Sequence, residues 1–212
     1  MEPSLTIPPR NVVAADLATV EASYWIFLYF SLNPPIRILL SKSKALPHII
    51  YTFKMASPPP AGVYVPVPTF FVSRRAANYN PIAAPVDIAT QAVHSIHLAK
   101  SGIRGLVVLG STGEAVHLTN KERFEVLSGI RTELEKAGFK DYPIIAGTAA
   151  QNIEEVVDQL KSAKEAGSQW GLCLVPGYFA GASTQEGIIQ WFRAVADASP
   201  IPIMVYVLVS SY

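Results

Sequence analysis

A short turn rich in glycine and hydroxyl side chains is the stretch of this sequence best suited to chemistry. It lies within residues 105–118, which read G-L-V-V-L-G-S-T-G-E-A-V-H-L. Gly110 and Gly113 bracket the hydroxyls of Ser111 and Thr112. Glycine lets a backbone turn tightly and expose its N–H groups, and N–H and hydroxyl donors together suit a small oxyanion. The alternative is that the two hydroxyls only cap the turn.

The residues around this turn have the pattern of one strand, loop and helix. The apolar run 105–109 predicts a strand buried on both faces of a parallel sheet. Thr119 and Glu122 have the spacing of a capping box, which predicts a helix over 120–136. In α/β folds ligands bind where strands end, so the turn lies where a site is expected.

The same pattern recurs along the chain and predicts an α/β fold. Further strands are predicted over 62–67, 143–146, 170–175 and 202–209, with Gly147 and Thr148 as a turn; further helices are predicted over 87–100, 152–167 and 187–198, the last capped by Ser183 with Glu186. Such repetition predicts right-handed βα units around a parallel sheet. Roughly four and a half units fit either an open sheet or part of a (β/α)₈ barrel, which needs eight.

The first 54 residues read differently from the rest. Prolines interrupt them repeatedly, and their most apolar run, residues 22–32, is shorter than the roughly 20 residues that cross a bilayer. Acidic residues before that run argue against a signal peptide. Met55 opens M-A-S-P-P-P-A-G and is an alternative start. We therefore expect an irregular extension over 1–54, absent from the natural product, and one domain over 55–212.

Composition excludes several classes of function. The net charge is +1, and no basic stripe interleaves with aromatic residues, so neither nucleic acid nor a membrane is an expected partner. The single cysteine, Cys173, lies in an apolar strand pattern and is interpreted as a core residue. The absence of a disulfide framework fits a reducing compartment, so we expect a cytoplasmic protein, with a mitochondrial location as the alternative.

Metal chemistry has little support in the sequence. His94 and His97 lie three residues apart on a predicted helix, but no third ligand follows them. The predicted strand ends carry hydroxyl groups rather than histidines and carboxylates. No metal and no cofactor are therefore expected.

Several motifs carry a resemblance to a known family. They are G-L-V-V-L-G-S-T-G-E-A at 105–115, L-T-N-K-E-R at 118–123, P-I-I-A-G-T at 143–148, V-P-G-Y at 175–178, T-Q-E-G at 184–187 and I-P-I-M-V-Y at 201–206. Together they resemble the dihydrodipicolinate synthase / N-acetylneuraminate lyase family of Schiff-base aldolases over residues 62–206. The resemblance implies a (β/α)₈ barrel, here partial and covering about strands 1 to 5, that acts on 2-oxo acids through a lysine imine.

The resemblance also implies roles for individual residues. Ser111 and Thr112 would bind the carboxylate of pyruvate, and Tyr206 would relay protons together with Ser111. Tyr178 matches a tyrosine that family members lend to a neighbouring subunit, which implies a homo-oligomer. From the residues alone, Tyr206 also reads as a core aromatic and Tyr178 as a surface aromatic.

The sequence departs from the family at its end. The family's imine-forming lysine lies on a sixth strand, whereas this sequence reads V-L-V-S-S-Y after Tyr206. We therefore expect a truncated lyase that is inactive alone. The substrate is left open among 4-hydroxy-2-oxoglutarate, a 2-keto-3-deoxy sugar acid and the precursors of dihydrodipicolinate. The alternative is a non-catalytic fragment that associates with full-length relatives through its last strand.

Overall fold

The computed structural model describes residues 12–13, 28–29 and 57–206. Its strands are β1 (Val12–Val13), β2 (Leu28–Tyr29), β3 (Val63–Pro66), β4 (Gly105–Val108), β5 (Ile144–Thr148), β6 (Trp170–Leu174) and β7 (Ile203–Tyr206). Its α-helices are α1 (Ile88–Lys100), α2 (Asn120–Lys136), α3 (Ile153–Glu165) and α4 (Gln185–Ala198). Short 3₁₀ turns cover Ala115–His117 and Ala180–Ala182.

The sheet has the order β1-β7-β6-β5-β4-β3-β2. Strands β3 to β7 are parallel and follow one another in chain order, each linked to the next through a helix. At the two edges, β1 pairs parallel with β7 and β2 pairs antiparallel with β3. The five parallel strands and their helices form a curled half-barrel, which confirms the prediction of a partial (β/α)₈ barrel.

The central strands are buried on both faces, as their apolar sequences predicted. Every residue of β4 and β5 is buried. Side chains alternate between two layers, so that Leu106 and Val108 join the core under the helices while Val107 joins an inner cluster. The inner cluster consists of Tyr64, Val107, Ile145, Trp170, Leu172 and Met204, with Tyr206 packed against it. The inner face of the sheet is therefore apolar up to the end that carries Tyr206.

The helix starts show which local signals were interpreted correctly. Helix α2 covers the predicted residues, and both hydrogen bonds of the capping box between Thr119 and Glu122 are present. Helix α4 is present and begins two residues before its predicted start, but its predicted cap was wrong, because Thr184 rather than Ser183 accepts from the N–H of Gly187. Ser183 instead donates its hydroxyl to the carbonyl of Phe179. Two adjacent hydroxyl residues offered two caps, and the loop geometry selects the second.

The turn predicted at Gly147 and Thr148 was also wrong. Both residues belong to β5, where Gly147 pairs with Leu172 and Thr148 with Cys173. Strand β5 stays paired with β6 for two residues after residue 146, where the glycine at 147 had suggested that the strand ends. A glycine inside a strand is a sign of close backbone approach, and Gly147 lies directly against the carbonyl of Leu109.

Other predictions concern the remaining parts of the chain. Cys173 is fully buried, which confirms its interpretation as a core residue. Within the described residues, no helix is both long and apolar enough to cross a bilayer. The predicted irregular extension lies outside the described residues except at β1 and β2, and residues 207–209 of the predicted last strand lie outside them as well. Docking through the last strand stays a prediction.

We expect the substitution Gly147→Ala to destabilise the protein, because a methyl group at Gly147 would overlap the carbonyl of Leu109 and approach the nitrogen of Gly110 to 2.9 Å. Overpacking of this kind costs roughly 1–3 kcal/mol. Thermal unfolding followed by circular dichroism measures the loss. Gly110→Ala is the matched control, since its methyl group would come no closer than 3.7 Å to Val107. Equal melting of the two variants would contradict the proposed close packing.

Candidate active site

A cavity of about 190 Å³ opens at the carboxyl ends of the parallel strands. Its wall comes from the segment after β4, the end of β5 and the residue after it, strand β6 and the last residue of β7. The lining residues are Gly110, Ser111, Ala115, Val116, Gly147, Thr148, Ala149, Leu172, Leu174 and Tyr206. No charged side chain is among these lining residues. The cavity therefore joins four successive strands at the edge where ligands bind in such folds.

The turn after β4 has an unusual backbone. Leu109 and Glu114 both have left-handed conformations, with φ values of 61° and 52°. Non-glycine residues in this region cost roughly 1–3 kcal/mol each and persist only when their surroundings hold them. Thr69, from the loop after β3, contributes by donating its hydroxyl to the carbonyl of Gly113 at 2.6 Å. The turn is thus held in one shape by the strands on both sides of it.

The two hydroxyl residues of the turn are placed differently. Ser111 is exposed at the turn and lines the cavity. Thr112 is exposed beside it but is not among the lining residues. The structure therefore brings the hydroxyl residue at position 111 to the cavity and leaves Thr112 at its margin.

Tyr206 ends β7 and lies on the same cavity. In the sheet, Tyr206 pairs with Leu174 of β6. Its side chain packs against the inner apolar cluster and is half-buried. Ser111 and Tyr206 come from strands that are not neighbours, because β5 and β6 lie between β4 and β7. The curvature of the sheet brings both residues to one cavity. The roles predicted from the sequence need the two residues to lie close together in this way.

Arg123 is a site-wall residue that sequence reasoning missed. Its side chain is only 5% exposed, and it donates to the carbonyl of Ala115 at 3.3 Å and to that of Gly147 at 2.5 Å. Burial lowers its pKa to about 10, and the nearby Glu155 carboxylate partly opposes this shift. From sequence alone, an arginine near the start of a polar helix is expected to be exposed to solvent, so no local pattern indicated the burial of Arg123.

Tyr178 lies apart from the cavity in the loop after β6. Its side chain is 82% exposed and stacks edge to face on Phe179, with 4.8 Å between the ring centroids. The side-chain oxygen of Gln151 accepts from the N–H groups of Gly177 and Tyr178, at 2.9 and 3.2 Å. The loop is therefore fixed at its base while its two aromatic rings face solvent.

Other candidate groups do not contribute to the cavity. The lysines of the described residues are exposed, and none lines the cavity. Among residues 57–206, no group of three or more potential metal ligands was found, and His94 packs on the ring of Phe70. Burial raises the pKa of the Cys173 thiol to about 12, so it is a poor nucleophile. The hydroxyl residues Ser111 and Thr148 and the phenol of Tyr206 remain on the cavity wall, and such groups suit binding and proton transfer.

The chain is similar in sequence to known aldolases. It is 41% identical over 145 residues to a probable 4-hydroxy-2-oxoglutarate aldolase, mitochondrial, of Emericella nidulans, covering 68% of this chain and 44% of the relative. It is 40% identical over 146 residues to the L-threo-3-deoxy-hexylosonate aldolase of Aspergillus niger, covering 68% of this chain and 41% of that relative. The chain thus spans less than half the length of these curated relatives.

Solved structures share the half-barrel. A dihydrodipicolinate synthase family protein of Coccidioides immitis has a TM-score of 0.58 and 31% identity, over 69% of this chain and 43% of that one. The dihydrodipicolinate synthase of Acinetobacter baumannii, solved in complex with pyruvate, has a TM-score of 0.57 and 29% identity, over 68% of this chain and 45% of that one.

The family assignment follows from a match that covers more than half of the chain. The sequence profile described as the dihydrodipicolinate synthetase family matches residues 85–210. This range contains the turn after β4, the buried Arg123 and the end of β7, which together build the cavity. The chain belongs to the dihydrodipicolinate synthetase family.

Proposed function

We propose that the chain forms the 2-oxo-acid-binding half of a class I Schiff-base aldolase, a carbon–carbon lyase. One observation carries this proposal: Ser111 and Tyr206 line a single cavity at the carboxyl ends of the parallel strands. The pyruvate complex of the related Acinetobacter baumannii enzyme supports pyruvate as the ligand. Pyruvate is then the nucleophilic or the released fragment of the reaction.

The proposed roles follow from the chemistry of the groups present. The carboxylate of pyruvate accepts hydrogen bonds from the turn, where Ser111 and Thr112 offer hydroxyl groups. Imine formation joins an amine to the keto carbon and releases water, so protons must be moved to and from the departing oxygen. The phenol of Tyr206 passes these protons without carrying a permanent charge. The lysine that supplies the amine lies outside the described residues in this proposal.

The substrate class we propose is a hydroxy-2-oxo acid that is cleaved to pyruvate and an aldehyde. The names of the Emericella nidulans and Aspergillus niger relatives, both aldolases, support cleavage over dihydrodipicolinate synthesis. A buried apolar wall from Leu172 and partly buried Leu174 fits the methyl end of pyruvate, opposite the polar turn. The proposed compartment is the cytoplasm, with the mitochondrion as the alternative that the name of the Emericella nidulans relative supports.

Pyruvate binding tests the proposal directly. We expect the 212-residue chain to show saturation-transfer NMR signals from the pyruvate methyl group, and the double variant Ser111→Ala/Thr112→Val to lose them, because both hydroxyl donors are removed. Ser101→Ala is the control, since the Ser101 hydroxyl bonds the carbonyl of His97 at the end of α1. A wild-type chain that gives no signal from pyruvate would overturn the proposed function.

Borohydride reduction tests the expectation that the isolated chain makes no imine. All described lysines are exposed, whereas a lysine that forms an imine is activated by desolvation or by a neighbouring cation. We expect no mass increase after incubation with pyruvate and sodium borohydride, with a full-length family aldolase as the positive control. A lysine adduct on the 212-residue chain would contradict the proposed inactivity.

We also propose that Tyr178 contacts a second subunit, which requires its loop to be held in place, and the hold of Gln151 on this loop can be tested. Removing the acceptor in Gln151→Ala should free the N–H groups of Gly177 and Tyr178 and loosen the loop. Chymotrypsin should then cleave after Tyr178 or Phe179 several-fold faster, as measured by mass spectrometry. Gln151→Glu keeps an acceptor oxygen and should stay near the wild-type rate. Equal cleavage of all three proteins would show that Gln151 does not fix the loop.

A further inference from the structure

Arg123 is a buried cation next to a cavity that has no charged lining. Its guanidinium donates to the carbonyls of Ala115 and Gly147, and both residues line the cavity. The guanidinium is therefore bonded directly to the backbone of two residues of the cavity wall. Its side chain is 5% exposed, so water screens this charge far less than it screens a charge at the surface.

The charge of Arg123 is only partly balanced by neighbouring acids. Within the described residues it forms no ion pair within 4.0 Å. The carboxylate of Glu155 on α3 acts on it from farther away and is itself hydrogen-bonded by Asn120 at 2.8 Å. Glu114, on the turn itself, is exposed and screened by water. Within the described residues, no carboxylate therefore neutralises the charge of Arg123 by direct contact.

We propose that Arg123 makes the cavity selective for a carboxylate, acting through its charge without touching the ligand. This inference rests on the proposed function, in which pyruvate binds at the turn. Unit charges several ångströms apart, in a partly buried site with an effective dielectric constant of about 20, attract strongly enough to change affinity roughly tenfold or more. The turn then supplies directional hydrogen bonds, and Arg123 supplies the preference for an anion.

A comparison of charged and neutral ligands separates this role from simple support of the wall. The probes are pyruvate and pyruvamide, which has the same shape but no charge, measured by saturation-transfer NMR titration. We expect Arg123→Gln to weaken pyruvate binding roughly tenfold and to change pyruvamide binding less than twofold. An equal loss for both ligands, or no loss for either, would overturn the proposal while the proposed function stands. A wild-type chain that binds no pyruvate would overturn both.

Arg131 provides the matched control. It is another buried arginine on α2, at 8% exposure, and it donates to the carbonyls of Tyr142 and Gly167, away from the residues that line the cavity. Arg131→Gln removes a similarly buried cation, one that lies 3.9 Å from the carboxylate of Glu135, and should leave the affinities for both ligands unchanged. If Arg131→Gln reproduced the selective loss of pyruvate binding, the effect would not belong to Arg123 and the proposal would fail.

The variant Arg123→Lys keeps the test decisive if Arg123→Gln does not fold. A buried lysine keeps the charge at neutral pH but loses its proton more readily than arginine, because burial disfavours the charged form. Its pyruvate affinity should therefore fall as pH rises from 6 to 10 more steeply than that of the wild type. Pyruvamide binding should not show this excess fall. An unchanged pH profile for pyruvate in Arg123→Lys would overturn the proposal.

Discussion

The close approach of β5 to the turn after β4 is the constraint on which the cavity depends. Gly147 has no side chain, and its backbone lies directly against the carbonyl of Leu109. That contact places the carbonyl of Gly147 where Arg123 can reach it. It also brings together the segments that carry Ser111 and Thr148, which both line the cavity. A larger residue at 147 would separate the two strand ends and open the wall.

The same region stores strain and compensates for it with buried hydrogen bonds. Leu109 and Glu114, on either side of the turn, have left-handed backbone conformations. Such conformations are strained for residues other than glycine and persist only when surrounding contacts hold them. Thr69 and Arg123 fix the turn from opposite sides through the carbonyls of Gly113 and Ala115. A site held this way needs little rearrangement when a ligand enters, which lowers the entropic cost of binding.

The sequence predicted the architecture well because its signals were local. Apolar runs identified the strands, and the capping box of Thr119 and Glu122 identified the start of α2. Local signals were insufficient where a choice depended on neighbouring elements. The end of β5 depends on pairing with β6, and the cap of α4 depends on the path of the preceding loop. Gly147 was correctly noticed as special, but the reason is a tertiary contact and not a turn.

The candidate site shows the same division. Ser111 and Tyr206 were found from motifs, and the structure places both on one cavity, although their roles stay predictions. Arg123 lies within the motif at 118–123, but that motif did not indicate its burial, because an arginine on a helix normally faces water. Gln151 lies in none of the family motifs. Only the path of the chain shows that Arg123 is buried against the segment after β4 and the end of β5, and that Gln151 supports a loop 26 residues later.

The order of the parallel strands has a consequence for how the protein is made. Each strand from β3 to β7 pairs with the strand that precedes it in the chain. During synthesis every new unit can therefore dock on a surface that has already left the ribosome, without waiting for distant segments. The last component of the cavity to emerge is Tyr206, so the pocket closes in a single step when β7 is added.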